Sequence, residues 1–231
     1  YNNEVVPYAG LVYDLNEQYS VYASYTEIFD PQTKQDASGN RLAPVEGVNY
    51  EAGIKAELLD DKVNLSLAVF RTEQDNVASV AGMNGGTIFY KGAEGITSEG
   101  YEVEISGELL QGLQATAGYT FVDIQDAEDK HAVTYSPKHM LRASTTYRVP
   151  GLEKLKVGAS MSWQDDVYNG IAEQDAYALV NLMASYDIDP NWSVSANLNN
   201  VTDEKYLSSL YWTQAYYGAP RNASMTVSWK Y

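Results

Sequence analysis

Along several long stretches of this chain, apolar and polar residues change places at every step. In the last segment Ala223, Met225, Val227, Trp229 and Tyr231 alternate with Ser224, Thr226, Ser228 and Lys230. The same period sets Trp192, Val194, Ala196 and Leu198 against Ser193, Ser195, Asn197 and Asn199. It recurs from Leu155 to Gln164, from Tyr101 to Leu109 and from Tyr50 to Leu58. Successive side chains of a strand point to opposite sides, so a period of two means strands with one apolar and one polar face. Several runs reach about nine residues, beyond the ~5–6 of an ordinary globular strand and enough for a tilted strand to cross a bilayer.

The links between the runs alternate too. Short ones fall at Asn16-Glu17, Asp60-Asp61, Gln111-Gly112, Gly151 to Glu153 and Asp189 to Asn191. Between them run long polar segments: Asp30 to Gly47, Gln74 to Ser98, Gln125 to Lys138, Asp165 to Gln174 and Val201 to Pro220. Short turns on one side and long loops on the other are how an outer-membrane barrel is built. A soluble β-sandwich offers no reason for that alternation. The expected fold is therefore all-β, an antiparallel transmembrane barrel of the bacterial outer membrane. About ten links imply about eleven strands, an odd count, whereas single-chain bacterial barrels close on an even one. The chain is expected to be part of a larger barrel, with further strands before Tyr1. Tyr13, Tyr147, Tyr186, Trp192 and Tyr231 fall near the short-turn ends, where an interfacial aromatic girdle belongs.

Composition agrees once that period is known. Mean hydropathy is −0.36, and no run approaches the ~18 apolar residues of a membrane helix; a barrel strand needs apolar residues only at alternate positions. The 20 Tyr and 4 Trp against 4 Phe favour rings with one wet end. A net charge of −16 argues against nucleic acid, which requires clustered cations. With no cysteine there is no disulfide, thiolate nucleophile or thiolate metal site. His131 and His139 read as solvated loop residues rather than metal ligands. Asp60-Asp61 suits a tight turn, and Asp123, Asp126 and Asp129 lack the glycine and terminal glutamate of a calcium loop. No phosphate loop and no nucleophile with a placed base is visible, so no enzyme is expected. Glu51, Lys55, Glu57, Glu102, Glu104, Glu108, Arg142, Arg148 and Lys230 sit on polar faces, where a wet lumen tolerates them and lipid does not.

A set of segments then resembles the TonB-dependent siderophore receptors, the hydroxamate and pyoverdine type in particular. It begins with Pro7-Tyr8-Ala9-Gly10-Leu11-Val12-Tyr13-Asp14-Leu15 and Tyr19 to Phe29, and runs on through Pro44 to Lys55 and Ala68-Val69-Phe70-Arg71. Ser98 to Glu104, Tyr177 to Leu182, Asn199 to Tyr206 and Tyr217 to Asn222 complete it in family order. The resemblance implies a barrel of about 22 strands with a plugged lumen, of which residues 1–231 are the C-terminal part. The plug domain and the N-terminal strands are then absent from the chain. It implies an outer-membrane receptor for ferric-siderophore uptake, energised by the TonB complex through the plug and seated in outer-membrane lipid. No cofactor is expected, because iron arrives already wrapped in its siderophore. Family members usually end in an aromatic residue, most often Phe; here Tyr231 stands in that place.

Within that reading the aromatic loop from Val201 to Pro220 is the expected ligand contact, because exposed aromatic surface marks binding sites. Trp212 and Tyr211 sit mid-loop, Tyr90 would add a wall from the longest loop, and Arg41 would offer a charge-assisted hydrogen bond to an anionic chelate. Two other readings stand beside it: a passive porin and a soluble β-rich binding module.

Overall fold

The computed structural model describes residues 4–210 and 214–231. Its strands are β1 (Tyr8–Asp14), β2 (Tyr19–Asp30), β3 (Val45–Leu58), β4 (Val63–Asp75), β5 (Val77–Asn84), β6 (Thr87–Ala93), β7 (Ile96–Leu110) and β8 (Leu113–Gln125). There follow β9 (His139–Arg148), β10 (Leu155–Gln164), β11 (Val167–Tyr168), β12 (Glu173–Gln174), β13 (Tyr177–Asp187), β14 (Trp192–Asn199), β15 (Leu207–Ser209), β16 (Tyr216–Tyr217) and β17 (Asn222–Trp229). Eleven of them form one sheet in the order β1-β2-β3-β4-β7-β8-β9-β10-β13-β14-β17. This is the expected meander. The remaining six make three small hairpins, β5–β6, β11–β12 and β15–β16, each lying inside one of the long links. β1 and β17 stand at the two ends of the order and are exposed along their whole length.

Register carries the two faces from strand to strand. Across β14 and β17, Trp192 faces Trp229, Val194 faces Val227 and Ala196 faces Met225, while Ser193 faces Ser228 and Ser195 faces Thr226. The apolar row continues into β13, with Tyr186 opposite Val194 and Ala184 opposite Ala196, and into β10, with Val157 opposite Ala184. A slip of one residue would exchange every side chain between the faces. Among the described residues the buried apolar side chains are Ala56, Val63, Val167 and Leu210, few as expected where the apolar face is meant for lipid.

The short turns are set by residues that supply their own backbone partners. Asn16 Oδ1 accepts the N–H groups of Gln18 and Tyr19 at 2.8 and 3.0 Å; Asp189 Oδ1 does the same for Asn191 and Trp192, both at 2.9 Å. Between β3 and β4, Leu59, Asp60 and Asp61 all take positive φ, at 54°, 54° and 63°. Asp tolerates that region through local hydrogen bonding; for Leu59 it is uncommon.

The chain divides into two compact units. The first holds Tyr1–Ile54, Leu67–Tyr101 and Val122–Val133; the second holds Lys55–Ser66, Glu102–Phe121 and Thr134–Tyr231.

Candidate functional site

In the first unit the loop after β2 is folded by one carboxylate. Asp36 Oδ1 accepts the N–H groups of Ser38 and Asn40 at 2.8 and 2.9 Å, and Gly39 takes φ 82°. Gln35 thereby comes opposite Arg41 as a bridge pair. A second turn repeats the plan. Asp126 Oδ1 accepts the N–H groups of Glu128 and Lys130 at 2.9 and 3.1 Å, Asp129 takes φ 58°, and Gln125 faces His131. The two share the words Gln35-Asp36-Ala37 and Gln125-Asp126-Ala127, a signal present in the sequence. Backbone N–H donors, Asn40 first for Asp36 and Lys130 first for Asp126, hold both carboxyls below their ordinary range, because hydrogen bonds to the charged form favour it.

This loop is tied to the β5–β6 hairpin. Gln35 O accepts the Tyr90 N–H at 2.8 Å, so Arg41 and Tyr90, expected from separate loops, are brought to the two sides of one residue. Lys34 Nζ lies 4.7 Å from the centre of the Tyr90 ring, a cation–π contact that occupies one ring face. Gln32 Nε2 donates to Ala43 O and Asn76 O at 2.5 and 2.7 Å. Arg41 is exposed and Tyr90 half-buried. Elsewhere in the first unit a polar cavity of about 170 Å³ is lined by Arg71, Glu99, Asp123, Gln125, Asp126 and Asp129, with Thr97. Arg71 there is held by Glu73 at 2.7 Å and by Glu99.

The expectation of solvated histidines is corrected. His131 is only 21% exposed and places Nδ1 3.3 Å from Asp123 Oδ1 and 3.0 Å from Ile124 O. His139, in the second unit, shares a 2.6 Å hydrogen bond with the Tyr119 hydroxyl and packs 4.8 Å from Phe121. The reason is geometric: the Asp126 turn folds His131 back onto β8, and β9 begins at His139 itself.

In the second unit the long loops hold one another. Thr134 Oγ1 donates to Tyr168 O at 2.6 Å, Asn169 Nδ2 to Leu210 O at 2.8 Å, and the Leu207 N–H to Gln174 Oε1 at 2.7 Å. The loop before β17 is anchored at its base by Asn200, 4% exposed, whose Nδ2 donates to Glu204 O and Ala219 O and whose Oδ1 accepts the Glu204 N–H. Tyr206 packs 4.7 Å from Tyr177 and lies flat on Gly218, where any Cβ would run into its ring. Lys205 Nζ sits 4.7 Å over Tyr217. The expected aromatic loop therefore has two kinds of aromatic: Tyr206 is structural, whereas Tyr216 and Tyr217 are exposed. Tyr211 and Trp212 lie outside the described residues. On the polar sheet face a depression of about 540 Å³ is lined by Glu104, Arg142, Ser144, Ser160 and Asn181 among others.

A family model described as "TonB dependent receptor-like, beta-barrel" matches residues 1–201. The chain belongs to this family. TonB-dependent receptor barrels are outer-membrane structures, and the long apolar rows of β10, β13, β14 and β17 are their lipid-facing side. The chain is 44% identical to the ferric-pyoverdine BN7/BN8 receptor of Pseudomonas putida, over 100% of its own length and 28% of that protein. It is 43% identical to the ferripyoverdine receptor of Pseudomonas aeruginosa, over 98% of this chain and 30% of that one. The P. aeruginosa receptor FpvA bound to heterologous pyoverdines superposes with a TM-score of 0.87 at 42% identity, over 97% of this chain and 32% of that one. The chain thus spans about a third of the length of the relatives it matches. Within a TonB-dependent receptor barrel, the segments Asn199 to Tyr206 and Tyr217 to Asn222 now have a physical reason. They build the Asn200 and Gly218 anchor, with the Arg221 N–H on Asp203 Oδ1 at 2.9 Å.

Proposed function

We propose that this chain is the later part of the barrel of an outer-membrane receptor that takes up ferric siderophores. The TonB complex drives uptake through a plug domain lying outside these residues. The observation that carries this reading is the 44% identity to a ferric-pyoverdine receptor, over 100% of this chain. The cargo is iron already enclosed by its chelator, so the protein supplies packing surface and hydrogen bonds rather than metal ligands. Trp212, Tyr211, Tyr90 and Arg41 are the proposed contacts. The bonds from Asn169 and Gln174 support this assignment, because they tie down the chain immediately before Tyr211, and a preorganised loop loses less entropy on binding. Transport, not catalysis, is the proposed activity.

The test uses the full receptor carrying this chain and radiolabelled ferric pyoverdine. Trp212→Ala should weaken binding by about 1–3 kcal/mol, the scale of losing an aromatic anchor, at unchanged receptor abundance. Uptake into cells should stop when the membrane potential is collapsed. Unchanged affinity would remove Trp212 from the site; uptake that continues without the potential would favour a passive porin.

A further inference from the structure

On the polar face of the second unit, register draws two rows of uncharged residues across neighbouring strands. Thr116, Ser144, Ser160 and Asn181 follow one another from β8 to β13. One step nearer the short turns run Gln114, Thr146, Gly158, Met183, Asn197 and Ser224, from β8 to β17, with Met183 lying down against Gly158. Charge flanks the two rows. Arg142 stands on the long-loop side of the first, and Arg148 faces Lys156 at the short-turn end. The depression of about 540 Å³ opens on the first row; among the described residues lining it, Arg142 is the one cation and Glu104 the one carboxylate. Asn181 ties it to the loop before β17. Its Nδ2 donates to Ser160 Oγ at 3.1 Å, and its Oδ1 accepts the N–H of Asn200 at 2.9 Å, the residue that anchors the aromatic loop.

A face that holds another protein segment is built differently. Such contacts are enriched in aromatic side chains and depleted in Ser, whereas here hydroxyls and amides dominate and Ser160 and Asn181 already bond to each other. A surface that passes a solute along needs contacts that are several and individually weak. The depression also falls within the ~300–1,000 Å³ of small-molecule sites. We infer that this wall is the side of the lumen along which the ferric chelate travels, and that the depression at Arg142, Ser144, Ser160 and Asn181 is its first stop below the aromatic loop. The inference rests on the receptor reading above. Arg142 attracts an anionic, oxygen-rich chelate, and Glu104 repels it from the β7 side. The uncharged rows then release it towards Arg148 and Lys156.

The test uses the full receptor with Ser144→Cys or Ser160→Cys, near-isosteric changes whose assembly is verified by heat-dependent gel mobility. This chain has no cysteine of its own. Uptake of radiolabelled ferric pyoverdine into cells would be measured before and after treatment with methanethiosulfonates of increasing size, with the unsubstituted receptor treated alike. Modification should lower the maximal uptake rate several-fold, more for the larger reagent. Affinity for ferric pyoverdine should stay unchanged, and a large antibiotic that the outer membrane excludes should remain outside. Cysteines that stay unreactive even during uptake, or that react with no change in rate, would overturn the inference. So would lost affinity or antibiotic entry, since either marks the wall as the seat of the plug. An unsubstituted receptor that fails to bind ferric pyoverdine would bring down the receptor reading itself. A working receptor indifferent to modification removes the path alone.

Discussion

Asp36 and Asp126 each hold a turn by accepting two backbone N–H groups, and the sign of their pH dependence follows. Both folded-state values lie below the ordinary one. Their contribution is thus present above the unfolded value of about 3.9 and lost as pH falls through the folded value. Amide exchange at Ser38, Asn40, Glu128 and Lys130, followed from pH 6 to pH 2, should keep its protection to about pH 4 and lose it below that. Asp126→Asn should flatten the profile at Glu128 and Lys130 while leaving Ser38 and Asn40 unchanged; a retained acid transition in that variant would assign it to another group. Asn200 acts through position rather than charge. It is buried, bonded to Glu204 and Ala219, and held at φ 50°. Asn200→Ala leaves those groups unpaired, at roughly 1–3 kcal/mol for each buried one. The expected result is a lower urea midpoint for the receptor in detergent; an unchanged midpoint would mean that water replaces the side chain.

At the scale of elements, the two-residue period foretells two faces of unequal tolerance. Val227 and Val194 face one another on the apolar side, Ser228 and Ser193 on the polar side. Val227→Arg should reduce the amount of receptor assembled in the membrane, since a charge at mid-membrane costs about 2–4 kcal/mol on the lipid face and little in a wet lumen. Thr226→Arg, its neighbour on the other face, should assemble normally in the same heat-mobility assay. Equal losses would mean that the faces are misassigned. The sheet strands and their turns were legible because alternation and turn chemistry are local. The hairpins β5–β6, β11–β12 and β15–β16 were not, because each is a short excursion within a polar link and its pairing depends on neighbouring loops. Gln35 shows the same limit for the candidate site. Nothing in the spacing of Arg41 and Tyr90 says that one carbonyl and one bridge pair bring them together. The repeated Gln-Asp-Ala words stand in the sequence, but three residues do not fix the turn that each Asp closes onto N–H groups two and four residues on.

For the whole molecule, the order of the sheet decides what the chain does by itself. Eleven strands in an antiparallel meander leave β1 and β17 running the same way. A segment that joins them must begin antiparallel to one and end antiparallel to the other, so it must contribute an odd number of strands. Neither edge therefore satisfies the other, and a second copy standing in the same membrane orientation presents β1 parallel to β17. Both edges expose backbone groups that in lipid cost several kcal/mol each when unpaired. The chain covers 28% and 32% of two of its relatives, which leaves ample sequence in them for further strands. Expressed alone and refolded in detergent, these residues should give aggregates or an open, protease-sensitive sheet. The full receptor, refolded alongside, should run as a compact band that shifts on heating. A monomeric, heat-modifiable and protease-resistant form of the isolated chain would sink the argument, because it would require β1 and β17 to pair in parallel within one barrel.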